Sequence, residues 1–231
     1  MELVVALDLP SSTKNLELAK ELATFNNIWL KVGFRTYIRD GKDFIKALKE
    51  INPNFKIFLD LKLYDIPNTM ADASEEIAKL GVDMFNLHAS AGKRALETVM
   101  KRLKDFGKER PLVLAVTALT SFSESEFYQI YKDSIDNKAK EFAKMSYEAG
   151  LDGVVCSAFE SRKIKEEVSK EFLTLTPGIR PFKEDAFDQK RVATLEIASK
   201  ELVDFIVIGR PIYQDSNPAK KVEEILKSIN S

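Results

Sequence analysis

Eight short apolar runs, separated by segments long enough to form amphipathic helices, restrict what this chain can fold into more than any other feature. The runs cover residues 3–7, 28–32, 56–59, 82–86, 112–116, 153–156, 172–175 and 205–208. Strands this apolar are covered on both faces, as in a parallel sheet. Between them, apolar residues recur with helical period over 15–25, 40–50, 68–80, 91–106, 138–149, 160–168, 191–200 and 218–229. Three helical segments leave in a related way, through Leu80-Gly81-Val82-Asp83, Ala149-Gly150-Leu151-Asp152 and Lys200-Glu201-Leu202-Val203-Asp204, two of them with a helix-ending glycine. One β-α unit is being reused. Eight units joined by helix-length crossovers predict the α/β class and a single (β/α)8 TIM barrel over residues 1–231, with an open doubly wound sheet as the competitor. The length would also permit two domains, but no Pro/Ser-rich linker marks a boundary. The longest irregular stretches, 121–136 and 177–188, both follow strands and read as lids on the active face.

Charge is concentrated where the third strand gives way to a loop, in Asp60-Leu61-Lys62-Leu63-Tyr64-Asp65-Ile66-Pro67-Asn68-Thr69. Two-residue periodicity puts Asp60 and Lys62 on one face. Taking such groups out of water costs several kcal/mol per ion, so they must pair or face a charged ligand. Taken alone, the segment would fit a structural ion pair equally well. However, Asp8 ends the first strand and Lys31 the second, so four ionisable groups surround the face on which barrels build their chemistry. A second convergence follows strands seven and eight, in Thr176-Pro177-Gly178-Ile179-Arg180 and Gly209-Arg210-Pro211-Ile212. Each piece alone is a turn. Together they match the place where barrels bind phosphate, with glycine admitting an anion and arginine offering forked donors.

Other classes of function find little support. The formal net charge of -1 gives no bulk attraction to nucleic acid or an anionic membrane. No apolar segment reaches spanning length and no leader pattern precedes Leu3, so a cytoplasmic setting is expected. The lone Cys156 reads as a buried core thiol. His88 reads as the maker of a structural hydrogen bond, while Ser121 and Ser157 lack the surroundings of a nucleophile elbow. There is no zinc spacing, Walker loop or dinucleotide fingerprint, and neither a cofactor nor a metal is expected.

The run from Asp60 to Thr69 closely resembles the signature of the orotidine 5'-phosphate decarboxylase family, and the likeness extends over essentially the whole chain. Supporting pieces are Ala6-Leu7-Asp8, Lys31-Val32-Gly33, Leu119-Thr120-Ser121, Gly150 through Ser157, Thr176 through Arg180, Asp188-Gln189-Lys190-Arg191-Val192 and Gly209 through Ile212. The resemblance implies cofactor-independent decarboxylation of orotidine 5'-monophosphate to UMP and CO2 in de novo pyrimidine biosynthesis, by a homodimer with active sites at the subunit interface. It implies that Asp8 and Lys31 contact the ribose, and that Asp60, Lys62, Lys31 and an Asp65 donated by the partner surround the reacting carbon. Lys62 then protonates C6. Thr69 likewise crosses the interface, Thr120 lines the pyrimidine pocket, and Arg180, Gln189, Gly209 and Arg210 hold the phosphate beneath the 177–188 lid. Two alternatives differ in class: a related phosphate-sugar lyase or decarboxylase that uses Mg2+, and a catalytically idle nucleotide-binding protein.

Overall fold

A strand buried on both faces needs a hydrogen-bonded neighbour on each edge and cover on each side, and eight such strands satisfy one another by closing into a ring. The computed structural model describes residues 1–182 and 191–230. In it β1 (Glu2–Ala6), β2 (Ile28–Gly33), β3 (Lys56–Leu63), β4 (Met84–His88), β5 (Leu112–Val116), β6 (Gly153–Val155), β7 (Leu173–Thr176) and β8 (Phe205–Ile208) form a closed barrel in chain order. Every neighbour is parallel, and β8 pairs back onto β1 through Leu3 and Ile206. The helices are α1 (Ser12–Glu21), α2 (Phe34–Ile51), α3 (Pro67–Lys79), α4 (Lys93–Leu103), α5 (Glu124–Tyr131), α6 (Ile135–Glu148), α7 (Ala158–Glu167), α8 (Leu195–Lys200), α9 (Arg210–Tyr213) and α10 (Pro218–Asn230). The open sheet is excluded by the closing pair.

Alternation along each strand sorts the core into two layers. Leu3, Val5, Leu30, Val32, Ile57, Leu59, Phe85 and Leu87 pack outward with the helices. Val4, Ala6, Trp29, Phe58, Met84, Leu114, Val116, Val155, Leu175, Phe205 and Val207 fill the interior, where the Trp29 and Phe205 rings meet edge to face at 5.4 Å. Continued upward, the same inward parity runs from Ala6 to Asp8, from Trp29 to Lys31 and from Phe58 to Asp60. The apolar plug therefore lies directly beneath the charged groups.

The repeated helix exits have a shared purpose. Asp83 accepts the backbone N–H of Ile57 at 2.7 Å, Asp152 that of Val113 at 2.8 Å, and Asp204 that of Thr174 at 2.7 Å. Each carboxylate thus satisfies a donor at the start of the preceding strand, and Lys49, Arg110 and Lys165 respectively neutralise it. The turn before each aspartate uses left-handed backbone: φ is 72° at Gly81, 86° at Gly150 and 58° at Leu202.

Three expectations are corrected. Residues 121–136 are largely helical, because Ser123 and Glu126 form a capping box that starts α5, while Phe127 and Tyr131 stack one turn apart. The helix expected over 191–200 begins only at Leu195, since Ala193 is held in a bridge with Ile179 and Thr194 supplies the cap. α2 begins at Phe34 rather than near Asp40, with a kink at Gly41. Of the proposed 177–188 lid, residues 183–188 lie outside the described residues, as does Gln189.

The left-handed exits should show opposite tolerances. Gly150→Ala meets no steric neighbour but must hold a positive φ, and we expect it to lower unfolding free energy by about 1–2 kcal/mol. Leu202→Gly should stay within about 1 kcal/mol of the parent, because relief at φ offsets the entropy of a new glycine. Urea unfolding of both variants checks this, and equal losses would refute it.

Candidate active site

The upper ends of the strands enclose a cavity of about 480 Å³. Its walls include Asp8, Lys31, Asp60, Lys62, Thr120, Arg180, Gly209 and Arg210, so eight of the residues expected from sequence converge on one volume. That volume suits a small-molecule ligand. Phe58, Val116, Val155, Leu175 and Val207 form its apolar floor.

On one side the charges alternate in sign. The Lys31 ammonium donates to both oxygens of Asp8 at 3.1 Å and lies 3.4 Å from Asp60 Oδ2. The Lys62 ammonium donates to Asp60 Oδ1 at 2.6 Å, and the Asn86 amide donates to the same oxygen at 2.8 Å. Burial alone would pull the Lys31 pKa down, but the carboxylates of Asp60 and then Asp8 outweigh it and hold the group above the ordinary lysine value. Burial would likewise push Asp60 up, but Lys31 and Lys62 outweigh it and hold the carboxyl below its ordinary range. Gly33 is part of this arrangement, since a Cβ there would lie 3.0 Å from Lys31 Nζ and 3.1 Å from Asp8 Oδ1.

Lys62 reaches the mouth through an irregular backbone. β3 continues to Leu63, beyond the expected end at Leu59, but its register with β4 shifts between those residues and Lys62 has φ 48°. Its N–H donates to Asn86 Oδ1 at 2.7 Å. Its ammonium also lies 5.8 Å from the centre of the Phe34 ring.

The other side of the mouth is built from loops. Leu119, Thr120 and Ser121 follow β5, Pro177, Gly178 and Arg180 follow β7, and Gly209, Arg210 and Tyr213 follow β8. Buried Glu160 caps α7 by accepting the Ser157 N–H at 2.9 Å, and it pairs with Arg191. Arg191 also donates to the Leu119 carbonyl at 3.3 Å, tying this pair to the loop that carries Thr120.

Two expected site residues do not line this cavity within the single chain. Asp65 is exposed, accepts the Ile66 N–H at 2.7 Å and faces a separate groove with Tyr64, Pro67 and Arg94. Thr69 is also exposed. His88 makes the expected structural bond, with Nδ1 accepting the Ser90 N–H at 3.2 Å. Burial first and Lys62 second hold its pKa down. Cys156 is a buried thiol at the cavity wall, pushed well up in pKa by burial and then by Glu160. Asn86 and Tyr213 were missed. The signal for Asn86 was an amide at inward parity with Met84 in an otherwise apolar strand.

Comparison with known proteins points in one direction. The model of a family described as "Orotidine 5'-phosphate decarboxylase / HUMPS family" matches residues 1–225. The chain is 70% identical over 231 residues to a Sulfurovum protein named orotidine 5'-phosphate decarboxylase, with both chains covered completely. It is 67% identical over 229 residues to a Nitratiruptor protein of the same name, covering 99% of this chain and 100% of that one. A crystal structure of orotidine 5'-phosphate decarboxylase from Lactobacillus acidophilus superimposes with a TM-score of 0.87 at 34% identity, covering 100% of this chain and 99% of the other.

The charge array has a pH signature with two limbs. The lowered Asp60 pKa contributes stability that is complete above the unfolded value of about 3.9 and is lost as pH falls through the lower folded value. The raised Lys31 pKa contributes stability that is complete below about 10.4 and is lost as pH rises through the higher folded value. Lys31→Met should therefore move the Asp60 midpoint upward in a carboxyl-carbon NMR titration. An unmoved midpoint would show that Lys31 does not hold this carboxylate.

Proposed function

The chain belongs to the orotidine 5'-phosphate decarboxylase / HUMPS family, and from that premise we propose how its barrel mouth works. Its reaction is the conversion of orotidine 5'-monophosphate to UMP and carbon dioxide in pyrimidine biosynthesis, the activity of a carboxy-lyase. The observation that carries the proposed mechanism is the Lys62 ammonium bonded to Asp60 at 2.6 Å, in the same cavity as Arg180 and Arg210.

When the bond from C6 to the carboxylate breaks, the electron pair stays on C6 in an orbital lying in the ring plane. The ring carbonyls cannot draw that pair into the π system, so fixed positive charge must stabilise it. Lys62 supplies the charge and then transfers a proton from Nζ to C6, which forms the new C–H bond. The resulting neutral amine regains its proton from water. Asp60 holds the ammonium in place, and Lys31 and Asp8 continue the array toward the ribose hydroxyls. Thr120 borders the pyrimidine. Arg180, Gly209, Arg210 and Gln189 are assigned to the phosphate, whose binding positions the reacting carbon from a distance.

Asp65 and Thr69 are assigned to the active site of a partner subunit in a homodimer. Their outward placement supports this, as do Phe34, Ile38, Tyr64 and Ile66, large apolar residues that are exposed beside the mouth. The chain is read as one catalytic domain. Its lone, buried Cys156 suits a reducing, cytoplasmic setting. Among the described residues no helix is long and apolar enough to cross a membrane. No observation favours the Mg2+-dependent alternative: Asp8 and Asp60 turn their oxygens toward lysines, and the described residues hold no group of three or more His, Cys, Asp or Glu arranged for a metal.

Ultraviolet-monitored turnover of orotidine 5'-monophosphate in chelator tests the mechanism. The parent should convert it to UMP, and a folded Lys62→Ala variant should lose at least about a thousandfold in kcat/KM. Comparable rates in the two would remove Lys62 from the chemistry. Mixing Lys62→Ala with Asp65→Ala chains tests the shared site, because hybrid dimers carry one site with neither lesion. Regained activity is expected, and none after verified subunit exchange would place Asp65 in its own subunit's site.

A further inference from the structure

An asparagine buried in a barrel wall must find partners for both ends of its amide. Asn86 is 1% exposed and projects inward from β4. Beside it the ladder is broken. From Leu59↔Phe85 to Leu63↔Leu87, β3 advances four residues (59 to 63) while β4 advances two (85 to 87). Two extra residues of β3 therefore arch over Asn86, and Lys62 lies in that arch with φ 48°. No regular ladder bond is open to the Lys62 N–H, and the Asn86 side chain takes it at 2.7 Å. The opposite end of the same amide donates to Asp60 Oδ1 at 2.8 Å, the oxygen that also receives the Lys62 ammonium.

We propose that Asn86 is a positioning residue for proton transfer: its side-chain amide replaces the peptide unit missing from the ladder, fixing both the backbone that projects Lys62 and the carboxylate that holds the ammonium. This rests on Lys62 as the proton donor. The orientation of Asp60 follows from the same contact, because Oδ1 is committed to Asn86 and Lys62 while Oδ2 faces Lys31 at 3.4 Å. Only a group with a donor and an acceptor on one short side chain meets both demands. Leucine fills similar space and meets neither. An ionised aspartate meets one and opposes Asp60, whereas a protonated aspartic acid offers an O–H donor and a carbonyl acceptor and restores both.

The test uses the full chain with orotidine 5'-monophosphate, comparing the parent with Asn86→Leu, Asn86→Asp and Lys62→Ala. Lys31 from β2 and Lys62 on its own strand face Asp60 directly, with Asp8, just past β1, beyond Lys31 and His88 of β4 beyond Lys62. The readout is therefore the shift between variants rather than one absolute pH limb. For Asn86→Leu we expect kcat to fall roughly 10- to 100-fold, with KM and UMP affinity changed by less than about threefold. The acid limb of kcat/KM should move up in pH, since Asp60 has lost a donor. The Asn86→Asp variant should recover relative to Asn86→Leu as pH falls and the added carboxyl gains a proton. A profile for either folded variant that is only scaled down, with its limb unmoved, would reflect a loss of active protein and overturn the proposal. If Asn86→Leu does not fold, the direction of the Asn86→Asp pH response decides alone. A parent that turns over, a Lys62→Ala variant that does not and an Asn86→Leu variant equal to the parent would reject the role of Asn86 and leave the reaction standing. If Lys62→Ala matches the parent, the proton-donor assignment falls and takes this proposal with it.

Discussion

Four side chains of alternating charge stand on top of an apolar plug, and the two at its centre, Lys31 and Asp60, are held in their charged forms by charged neighbours. Beneath Asp8, Lys31, Asp60 and Lys62 the barrel is filled by the apolar side chains of Ala6, Trp29, Phe58 and Val207. Burial opposes the charge on both Lys31 and Asp60, yet the net displacement of each pKa favours the charged form. The attraction within the array therefore exceeds the loss of hydration. Removing one partner from such a buried pair typically costs about 3–5 kcal/mol, whereas an exposed pair is worth at most about 1 kcal/mol. In the proposed mechanism the same closeness prepares an electrostatic site before substrate arrives, because the ammonium groups need not reorganise when negative charge develops.

Much of this is legible from strand parity. Once Val4 and Ala6 are placed inward, Asp8 follows; Trp29 carries Lys31 inward, and Phe58 carries Asp60. These runs are short and apolar, so periodicity and tertiary burial agree. Lys62 obeys the expected facing for a different reason. Two-residue alternation puts it on the side of Asp60, but the structure achieves this through a two-residue arch and a positive φ. A sequence pattern does not reveal which neighbouring side chain will complete a broken ladder, and so Asn86 was passed over. The exits at Asp83, Asp152 and Asp204 behave alike. Their turns can be read locally, whereas the N–H groups they accept belong to strands about 26–39 residues away and become neighbours only when the sheet closes. At α5 the sequence carries competing signals: Ser123-Glu124-Ser125-Glu126 contains the capping box, while the polar composition of the stretch favours a loop.

The two halves of the mouth differ in what holds their functional groups. Asp8, Lys31, Asp60 and Lys62 lie on or immediately beyond β1 to β3 and are fixed to one another by hydrogen bonds and by the apolar layer beneath. Thr120, Arg180, Gly209 and Arg210 stand beyond the ends of β5, β7 and β8, on segments that leave the sheet. Rigid placement is needed where a proton must reach one carbon, since transfer depends steeply on heavy-atom distance. A phosphate several bonds away tolerates a more adaptable setting, because several donors share its charge. On the proposed assignment, the barrel separates a reacting side defined by strands from a phosphate-gripping side defined by loops. Asp65 falls outside both. It lies past the strand end, turned to a different groove, and on the proposed assignment its charge serves the strand-fixed array of a partner subunit. A dimer that supplied this fifth charge would make completion of the reacting side depend on assembly, while the barrel alone would still present the whole of the array from Asp8 to Lys62.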